Sequence, residues 1–375
     1  MASPRHTFCA LIADDLTGAC DAAIPFTLRG ASSIVYLTPD FKCASGHDVA
    51  AISTESRELD ISAIDRRIRD AASRLAAFDP EIIFKKIDST LRGNVGAEIA
   101  AALEAFDCEF AIVTPAFPQM GRTIRDGLLH IEGDAGWRPI DIAERLRTQG
   151  LGDCVHIASH AVAGAIERGH RFISVETLCD DDLKAIALET FRFGRRVLYA
   201  GSAGLAAAVA ETFFDNPKQA SFYEPTSLPC IFCVGSDHPV MIAQLAALAC
   251  ERSTQCFAAG STQPPLLAAC LQAGHHAILA ISRTETHCGA IRDLLKPARK
   301  FAGAILISGG DTASVACKAL GAEAIELEGE IVTGLPWGRL QGGLLEGLPI
   351  ATKSGGFGAS DALIKVADFF TCQTN

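Results

Sequence analysis

The stretch FCALIADDLTGACDAA (8–23) decides the fold class: a short apolar run ends on two adjacent aspartates, Asp14 and Asp15, and a helix-forming segment follows at once. The run is continuously apolar rather than alternating, which marks a strand covered on both faces. The same pattern recurs along the first half, in SIVYLT (33–38), DVAAIS (48–53), EIIFKK (81–86), EFAIVT (109–114), RFISVE (171–176) and RVLYAG (196–201). Between these runs lie helical segments such as 61–78 and 95–106. In the first of them Ile61, Ile64, Ile68, Ala71, Ala72 and Leu75 recur at helical spacing, with arginines and aspartates on the other face. Strands alternating with helices predict an α/β fold with a largely parallel sheet.

Residues 215–229, DNPKQASFYEPTSLP, interrupt the rhythm with three prolines and no apolar period, as an interdomain linker would. The alternation then resumes with PCIFCVG, a helix near 239–252, TQCFAA, HAILAIS, AGAILISGG and a helix at 312–320. The expected organisation is therefore two α/β domains, residues 1–214 and 230–375. A length of 375 residues suits two cores. In sheets of this kind ligands bind beyond the carboxyl ends of the strands.

Composition narrows the function. The net charge of −11, from 33 basic and 44 acidic residues, argues against a nucleic-acid binder. No stretch of 18 apolar residues is present and the N-terminal apolar run is too short for a secretory signal, so neither a membrane span nor export is expected. The 14 cysteines are scattered singly, apart from Cys230 and Cys233 inside a strand, which read as core residues rather than a zinc knuckle. The chain reads as soluble, reduced and cytoplasmic. The sequence leaves a homo-oligomer open.

Chemistry concentrates at strand ends. Asp can cap a helix. A cap accounts for one carboxylate of Asp14-Asp15, whereas two side by side at a strand end point to a site. TESR (54–57) ends the third strand and brings in Arg57. KKIDSTLRG (85–93) crowds Lys85, Lys86, Asp88, Ser89, Thr90, Arg92 and Gly93 into a strand–helix turn, a setting suited to a carboxylate or phosphate; Asn94 is the candidate cap. VTPAFPQMGRTIRDG (113–127) is a loop stiffened by its prolines and glycine that presents Gln119, Gly121, Arg122 and Thr123, and it reads equally as a structural turn or a ligand loop. AGSAGL (200–205) resembles a nucleophile elbow only loosely, and close backbone packing or substrate approach is the expected use. His156 and His160 read as ordinary. In the second half VGSDHP (234–239), ISGGDTAS (307–314) and ATKSGGFGASDA (351–362) form glycine turns able to cradle phosphates, and nine glycines fall within 329–358. Neither a Walker-type loop nor a Rossmann G-x-G-x-x-G is present.

Taken in order, ADDLTG (13–18), TESR (54–57), KKIDSTLRG (85–93), AFPQMGRT (116–123), GSAGL (201–205), GS (235–236), GGDTA (309–313) and KSGGFG (353–358) resemble the four-carbon acid sugar kinase family. The resemblance implies ATP-dependent phosphorylation of threonate, erythronate or 3-oxo-tetronate. It also implies an N-terminal substrate domain and a C-terminal nucleotide domain, with the active site in the cleft between them. On that basis Arg57, Lys86 and Arg92 are expected to hold the acid's carboxylate and Asp14, Asp15 and Asp88 its hydroxyls. Thr17, Ser89, Gly121 and Arg122 complete the substrate set. Asp14 or Asp15 would orient or deprotonate the terminal hydroxyl, and an Asp15→Asn change is expected to collapse turnover. Ser236, Gly309, Gly310, Asp311, Thr312, Lys353, Gly355 and Gly356 would hold ATP and its Mg²⁺, with no metal ligand assigned. Domain closure would exclude water. Two departures stand out: residues 133–157 look compacted, and the GS turn continues as Asp237-His238-Pro239. The alternatives are a larger or branched sugar acid as substrate, or a regulator that binds without catalysis.

Overall fold

The computed structural model describes residues 7–37, 46–132, 136–214, 223–281 and 288–372, apart from the side chain of Asp311. It divides into two compact units, residues 1–34 with 39–218, and 35–38 with 219–375.

The strands of the first unit, counting β2 with it although its residues 35 and 36 fall in the second, are β1 (Cys9–Ala13), β2 (Ser33–Tyr36), β3 (Val49–Ser53), β4 (Ile82–Lys86), β5 (Phe110–Thr114), β6 (Arg122–Arg125), β7 (Leu128–Ile131), β8 (Ile140–Asp141), β9 (Cys154–Ile157), β10 (Phe172–Val175) and β11 (Val197–Gly201). Its helices are α1 (Leu16–Leu28), α2 (Ile61–Ala76), α3 (Val95–Ala105), α4 (Ile142–Thr148), α5 (Val162–Glu167), α6 (Asp180–Thr190) and α7 (Ala203–Phe213). The main sheet runs β3-β1-β4-β11-β5-β10-β9, parallel throughout, with β2 beside β3. Strands β1, β3, β4, β5 and β11 are buried along their whole length, as continuous apolar runs require. In α2 the predicted face is buried at Ile64, Ile68, Ala71, Ala72 and Leu75, while Ile61, at the first turn, is 61 % exposed.

Register aligns the strand ends. Ala13 pairs with Ser53 and Lys86, Lys86 with Gly201, and Gly201 with Thr114. The segments that follow β1, β3, β4, β5 and β11 therefore emerge along one edge, which is why motifs far apart in sequence meet there.

The second unit contains β12 (Cys230–Val234), β13 (Thr254–Ala258), β14 (His276–Ala280), β15 (Ala304–Ser308), β16 (Ala324–Glu330), β17 (Pro336–Gln341) and β18 (Pro349–Lys353). Its helices are α8 (Pro239–Glu251), α9 (Pro264–Gln272), α10 (Cys288–Ala298), α11 (Gly310–Leu320) and α12 (Ala362–Phe370). The order is β13-β14-β12-β15-β18-β17-β16. The pairs from β13 to β18 are parallel, and β18-β17-β16 are antiparallel.

The structure adds to the reading of three segments. The 116–123 segment is not a plain loop: Arg122 opens β6 of a small antiparallel sheet, β6-β7-β8, whose tight turn holds Asp126 and Gly127 at φ 51° and 76°. Asp-Gly between two short segments, RTIR and LLHI, was the signal for that hairpin. The described part of 215–229, the expected linker, is packed against the second unit's aromatic residues. Tyr223 is buried, with ring centroids 5.3 Å from Trp337 and 5.1 Å from Phe370, and Thr226 N donates to Phe370 O; residues 215–222 lie outside the described set. Finally, most glycines of 329–358 serve the antiparallel strands: a Cβ on Gly338 would strike the Glu326–Leu327 backbone, and one on Gly343 the Leu320–Gly321 backbone. Cys230 and Cys233 are fully buried strand residues, and burial pushes the Cys233 thiol up to about 12. No helix among the described residues is long and apolar enough to cross a membrane.

Candidate active site

In the first unit, one guanidinium organises three carboxylates. Arg57, presented after β3, places Nε 2.6 Å from Asp14 Oδ2, Nη1 2.7 Å from Asp15 Oδ2 and Nη2 3.6 Å from Asp88 Oδ2. Gly93, at φ 81°, lets this approach happen, because a Cβ there would lie 3.2 Å from both Arg57 Cγ and Arg57 O. Although burial pushes the Asp14 carboxyl up, Arg57 and Lys85 hold it below the usual carboxylate range. Burial opposes ionisation of Asp88 too, yet Arg92 and Arg57 hold it well below that range.

The two adjacent aspartates do different things. Both oxygens of Asp15 are engaged: Oδ1 accepts from Gly18 N at 2.6 Å, capping α1, and Oδ2 accepts from Arg57 and from Thr17 Oγ1 at 3.4 Å. Asp14 is 2 % exposed; its Oδ2 meets Arg57, but its buried Oδ1 has no hydrogen-bond partner among the described residues. A buried carboxylate oxygen without a donor is costly, by about 1–3 kcal/mol or more for a charged group, and marks where a ligand hydroxyl would be satisfied.

Behind Asp14 runs a buried polar chain that the sequence reading did not single out. Lys85 Nζ lies 2.8 Å from Glu98 Oε2 on α3, and Ser56 Oγ donates to Glu98 Oε1 at 2.6 Å. Thr54 Oγ1 is 2.7 Å from Ser56 Oγ and donates to Ala13 O at 2.9 Å, while Ser56 N donates to Asp14 O at 3.1 Å. This chain ties the ends of β1, β3 and β4 together and fixes the backbone that carries Asp14. Burial, with the nearby Asp14 charge, pushes Glu98 up against the opposing pull of Lys85. Helical spacing from Glu98 to the apolar positions of α3 was the signal available, since a charge on a buried face needs a partner.

Lys86 is buried and donates to Ile87 O at 3.0 Å. Asp88 Oδ1 accepts from Thr90 N and Thr90 Oγ1 at 2.9 and 2.5 Å, and Oδ2 from Arg92 Nη2 at 2.6 Å. Ser89 is buried beside them, whereas the Arg92 side chain is 66 % exposed. Asn94 occupies the position before α3 but does not cap it: its Nδ2 donates to Leu59 O at 3.1 Å, and Gln149 Oε1 instead accepts from Gly96 N at 2.8 Å. Gly121 is left-handed at φ 70° and closes the Pro118–Met120 turn, and Arg122 donates through Nη1 to Met120 O. Ser202 is a buried helix cap, accepting from Gly204 N at 3.1 Å and donating to Ala116 O, so it is no nucleophile.

Asp21, on the same face of α1 as Thr17 and Gly18, was also passed over. Burial raises its carboxyl to about 6, with Lys86 opposing and Asp15 adding to the rise. An acid whose folded pKa exceeds its unfolded value of 3.8 stabilises the fold below 3.8 and loses that contribution as pH rises through 6. Asp21→Asn is therefore expected to raise unfolding free energy at pH 7.5 by up to about 3 kcal/mol, with no gain at pH 3.5. Urea melts at the two pH values check this; equal shifts at both would contradict it.

In the second unit three turns leave one sheet edge together, since Val234 pairs with Ser308 and Ser308 with Lys353. They pack too closely for side chains at their glycines. A Cβ on Gly235 would overlap Thr312 Oγ1, and one on Gly355 would overlap Ser236 Oγ. One on Gly356 would lie 3.2 Å from His238 Nε2. Gly309, at φ 96°, donates its N–H to Lys353 O at 3.1 Å and leads into α11, which begins at Gly310. Thr312 is buried at the head of that helix. His238 Nδ1 accepts from Val240 N at 3.2 Å, capping α8 and leaving Nε2 toward Gly356. The side chain of Asp311 lies outside the described residues. Ser236, Gly309, Gly310, Thr312, Lys353, Gly355 and Gly356 thus come together, and glycine turns at the N-termini of α8 and α11 suit a polyphosphate.

Comparison with known proteins agrees with this division. Residues 9–145 match the family model of a sugar-binding N-terminal domain and residues 244–363 that of a nucleotide-binding C-terminal domain. The chain is 31 % identical to the D-threonate kinase of Bordetella bronchiseptica, covering 96 % of each protein. It is 27 % identical to the D-erythronate kinase of Heliobacterium modesticaldum, over 96 % of each. It is also 27 % identical to the 3-oxo-tetronate kinase of Brucella melitensis, over 97 % of this chain and 94 % of that one. The fold is shared with a crystal structure from Salmonella typhimurium at a TM-score of 0.76 and 21 % identity, covering 98 % of this chain and all of that one. A Haemophilus influenzae structure shares it at 0.72 and 20 %, covering 96 % and 98 %. The domain make-up is that of a class whose curated members are sugar-acid kinases. The chain belongs to the four-carbon acid sugar kinase family.

Proposed function

We propose that this chain is an ATP-dependent kinase that phosphorylates the terminal hydroxyl of a four-carbon acid sugar of the threonate, erythronate or 3-oxo-tetronate type. The observation that carries the reading is Asp14 Oδ1, a buried acceptor without a partner among the described residues, on a carboxylate that Arg57 holds through Oδ2, in the segment matching a sugar-binding domain. In this reading Asp14 accepts the hydroxyl's hydrogen and aims its oxygen; phosphoryl transfer asks mainly for positioning and charge neutralisation. Arg92, exposed and adjacent, and Arg122 are the cations offered to the carboxylate, with Lys86, Ser89 and Thr17 around them. Arg57 serves by holding Asp14, Asp15 and Asp88 in place. The 235–238, 309–312 and 353–358 turns take the phosphates of ATP.

Mg²⁺ would enter with the nucleotide. Among the described residues no three His, Cys, Asp or Glu side chains surround a common point, and the three site aspartates already meet arginine. That donor set fits an ion carried chiefly by phosphate oxygens and water, with the Thr312 and Ser236 hydroxyls at hand. When bound, the ion neutralises phosphate charge.

The test is ADP release from Mg-ATP against D-threonate, D-erythronate, 3-oxo-tetronate and larger sugar acids. Turnover on a four-carbon acid is expected. Activity on a larger acid alone would shift the substrate class, and no ADP release with any acid would overturn the kinase reading.

A further inference from the structure

The 353–359 loop is held from within by two buried side chains. Lys353 is 1 % exposed, and its Nζ turns back to its own loop, donating to Ser354 O at 2.9 Å and Gly355 O at 3.3 Å. Gln244, on α8 and fully buried, directs a single amide nitrogen at three successive carbonyls: Phe357 O and Gly358 O at 3.0 Å each, and Ala359 O at 2.8 Å. Its Oε1 has no partner among the described residues. The amide orientation is thus dictated by its surroundings, because only the NH₂ end can face carbonyls.

Five of the six carbonyls from Ser354 to Ala359 are therefore drawn inward. No cis peptide is present among the described residues. In a trans peptide the N–H points opposite to the C=O before it. The N–H groups of Gly355, Gly356, Gly358, Ala359 and Ser360 must then turn outward. Among the described residues none of these five donates a hydrogen bond, whereas Phe357 N donates inward to Ser354 O at 3.2 Å. Outward backbone N–H groups without acceptors, on a loop packed against Ser236 and His238, form a nest for an anion.

We propose that Gln244 and Lys353 are positioning residues for nucleotide binding. By fixing the carbonyls of 354–359 they present a row of backbone N–H groups to the phosphates. Lys353 acts inside the loop, not as a direct phosphate ligand. This rests on the nucleotide-binding reading above and adds the device that builds the site. Gln244 also explains Gly358, whose φ of 87° aligns two neighbouring carbonyls on one nitrogen.

Two measurements test the proposal with the full chain. In the wild type, amide hydrogen exchange in the 355–360 segment is expected to slow at least tenfold on saturation with Mg-ADP. Unchanged exchange there, with ADP bound by calorimetry, would overturn the proposal. No ADP binding at all would instead overturn the nucleotide reading. Gln244→Glu keeps the shape but turns an oxygen on the three carbonyls. It is expected to weaken Mg-ADP at least tenfold while D-threonate affinity, measured by calorimetry, stays within twofold. Equal loss of both ligands would indicate general unfolding. The wild-type exchange experiment, which involves no substitution, then decides. An unchanged ADP affinity in a folded Gln244→Glu protein would overturn the proposal.

Discussion

Arg57→Met is expected to lower kcat/KM by at least about a thousandfold and to destabilise the fold at pH 7.5 by about 3–5 kcal/mol, the range for removing one partner of a buried ion pair. The reason is the ratio of charges. Arg57 is the common partner of Asp14, Asp15 and Asp88, and without it three carboxylates face one another across a buried turn. Arg92 remains on Asp88 and Lys85 near Asp14, but among the described residues no other cation pairs with both Asp14 and Asp15. The sign of the pH dependence separates this from a simple packing defect. With Arg57 gone, Asp14 and Asp88 lose a cation that holds their carboxyls low, so the lost stability should return at lower pH as those carboxyls protonate. Urea melts across pH 4.5–8 check it, and a pH-independent loss would contradict the electrostatic account. Arg57→Lys keeps the charge but not the planar fork, and should recover stability more than activity.

Asp14→Asn is expected to reduce kcat by about 10²–10⁴, the usual range for a positioned acid or base, with KM for ATP changed less than threefold. The carboxamide can still accept from Arg57, so the fold should persist. The oxygen lost to the reaction is Oδ1, whose place a donor NH₂ would take. Asp15→Asn should be milder, because both Asp15 oxygens serve the α1 cap and Arg57, and Asn caps a helix about as well as Asp. The sequence alone put the decisive test at Asp15; the hydrogen bonding moves it to Asp14. Comparable collapse in Asp15→Asn and near-normal turnover in Asp14→Asn would reverse the assignment.

Much of the first sheet was legible because burial on both faces forces continuous apolar runs, and each predicted run from Cys9 to Gly201 is a strand within a residue or two of its expected bounds. The β6-β7-β8 sheet was not, since its strands are too short for a periodic signal and only Asp126-Gly127 announced them. The site was half legible. Asp14, Arg57, Asp88 and Arg92 stood out as charges at strand ends. Glu98, Asp21 and Gln244 did not, because a polar residue on a helical face is ordinary until its surroundings are known to be buried.

The sequence by itself determined which segments become strands and helices, and it placed the polar clusters at strand ends, because hydrophobic periodicity and turn chemistry act over a few residues. Only the tertiary structure decided what those clusters do. Register brought Ala13, Ser53 and Lys86 level, so that one guanidinium could reach three carboxylates and leave one oxygen of Asp14 without a hydrogen-bond partner among the described residues. Packing of α8 against the 357–359 loop set which way its peptides face. Both outcomes depend on distances between residues tens to more than a hundred positions apart, and no local pattern encodes those.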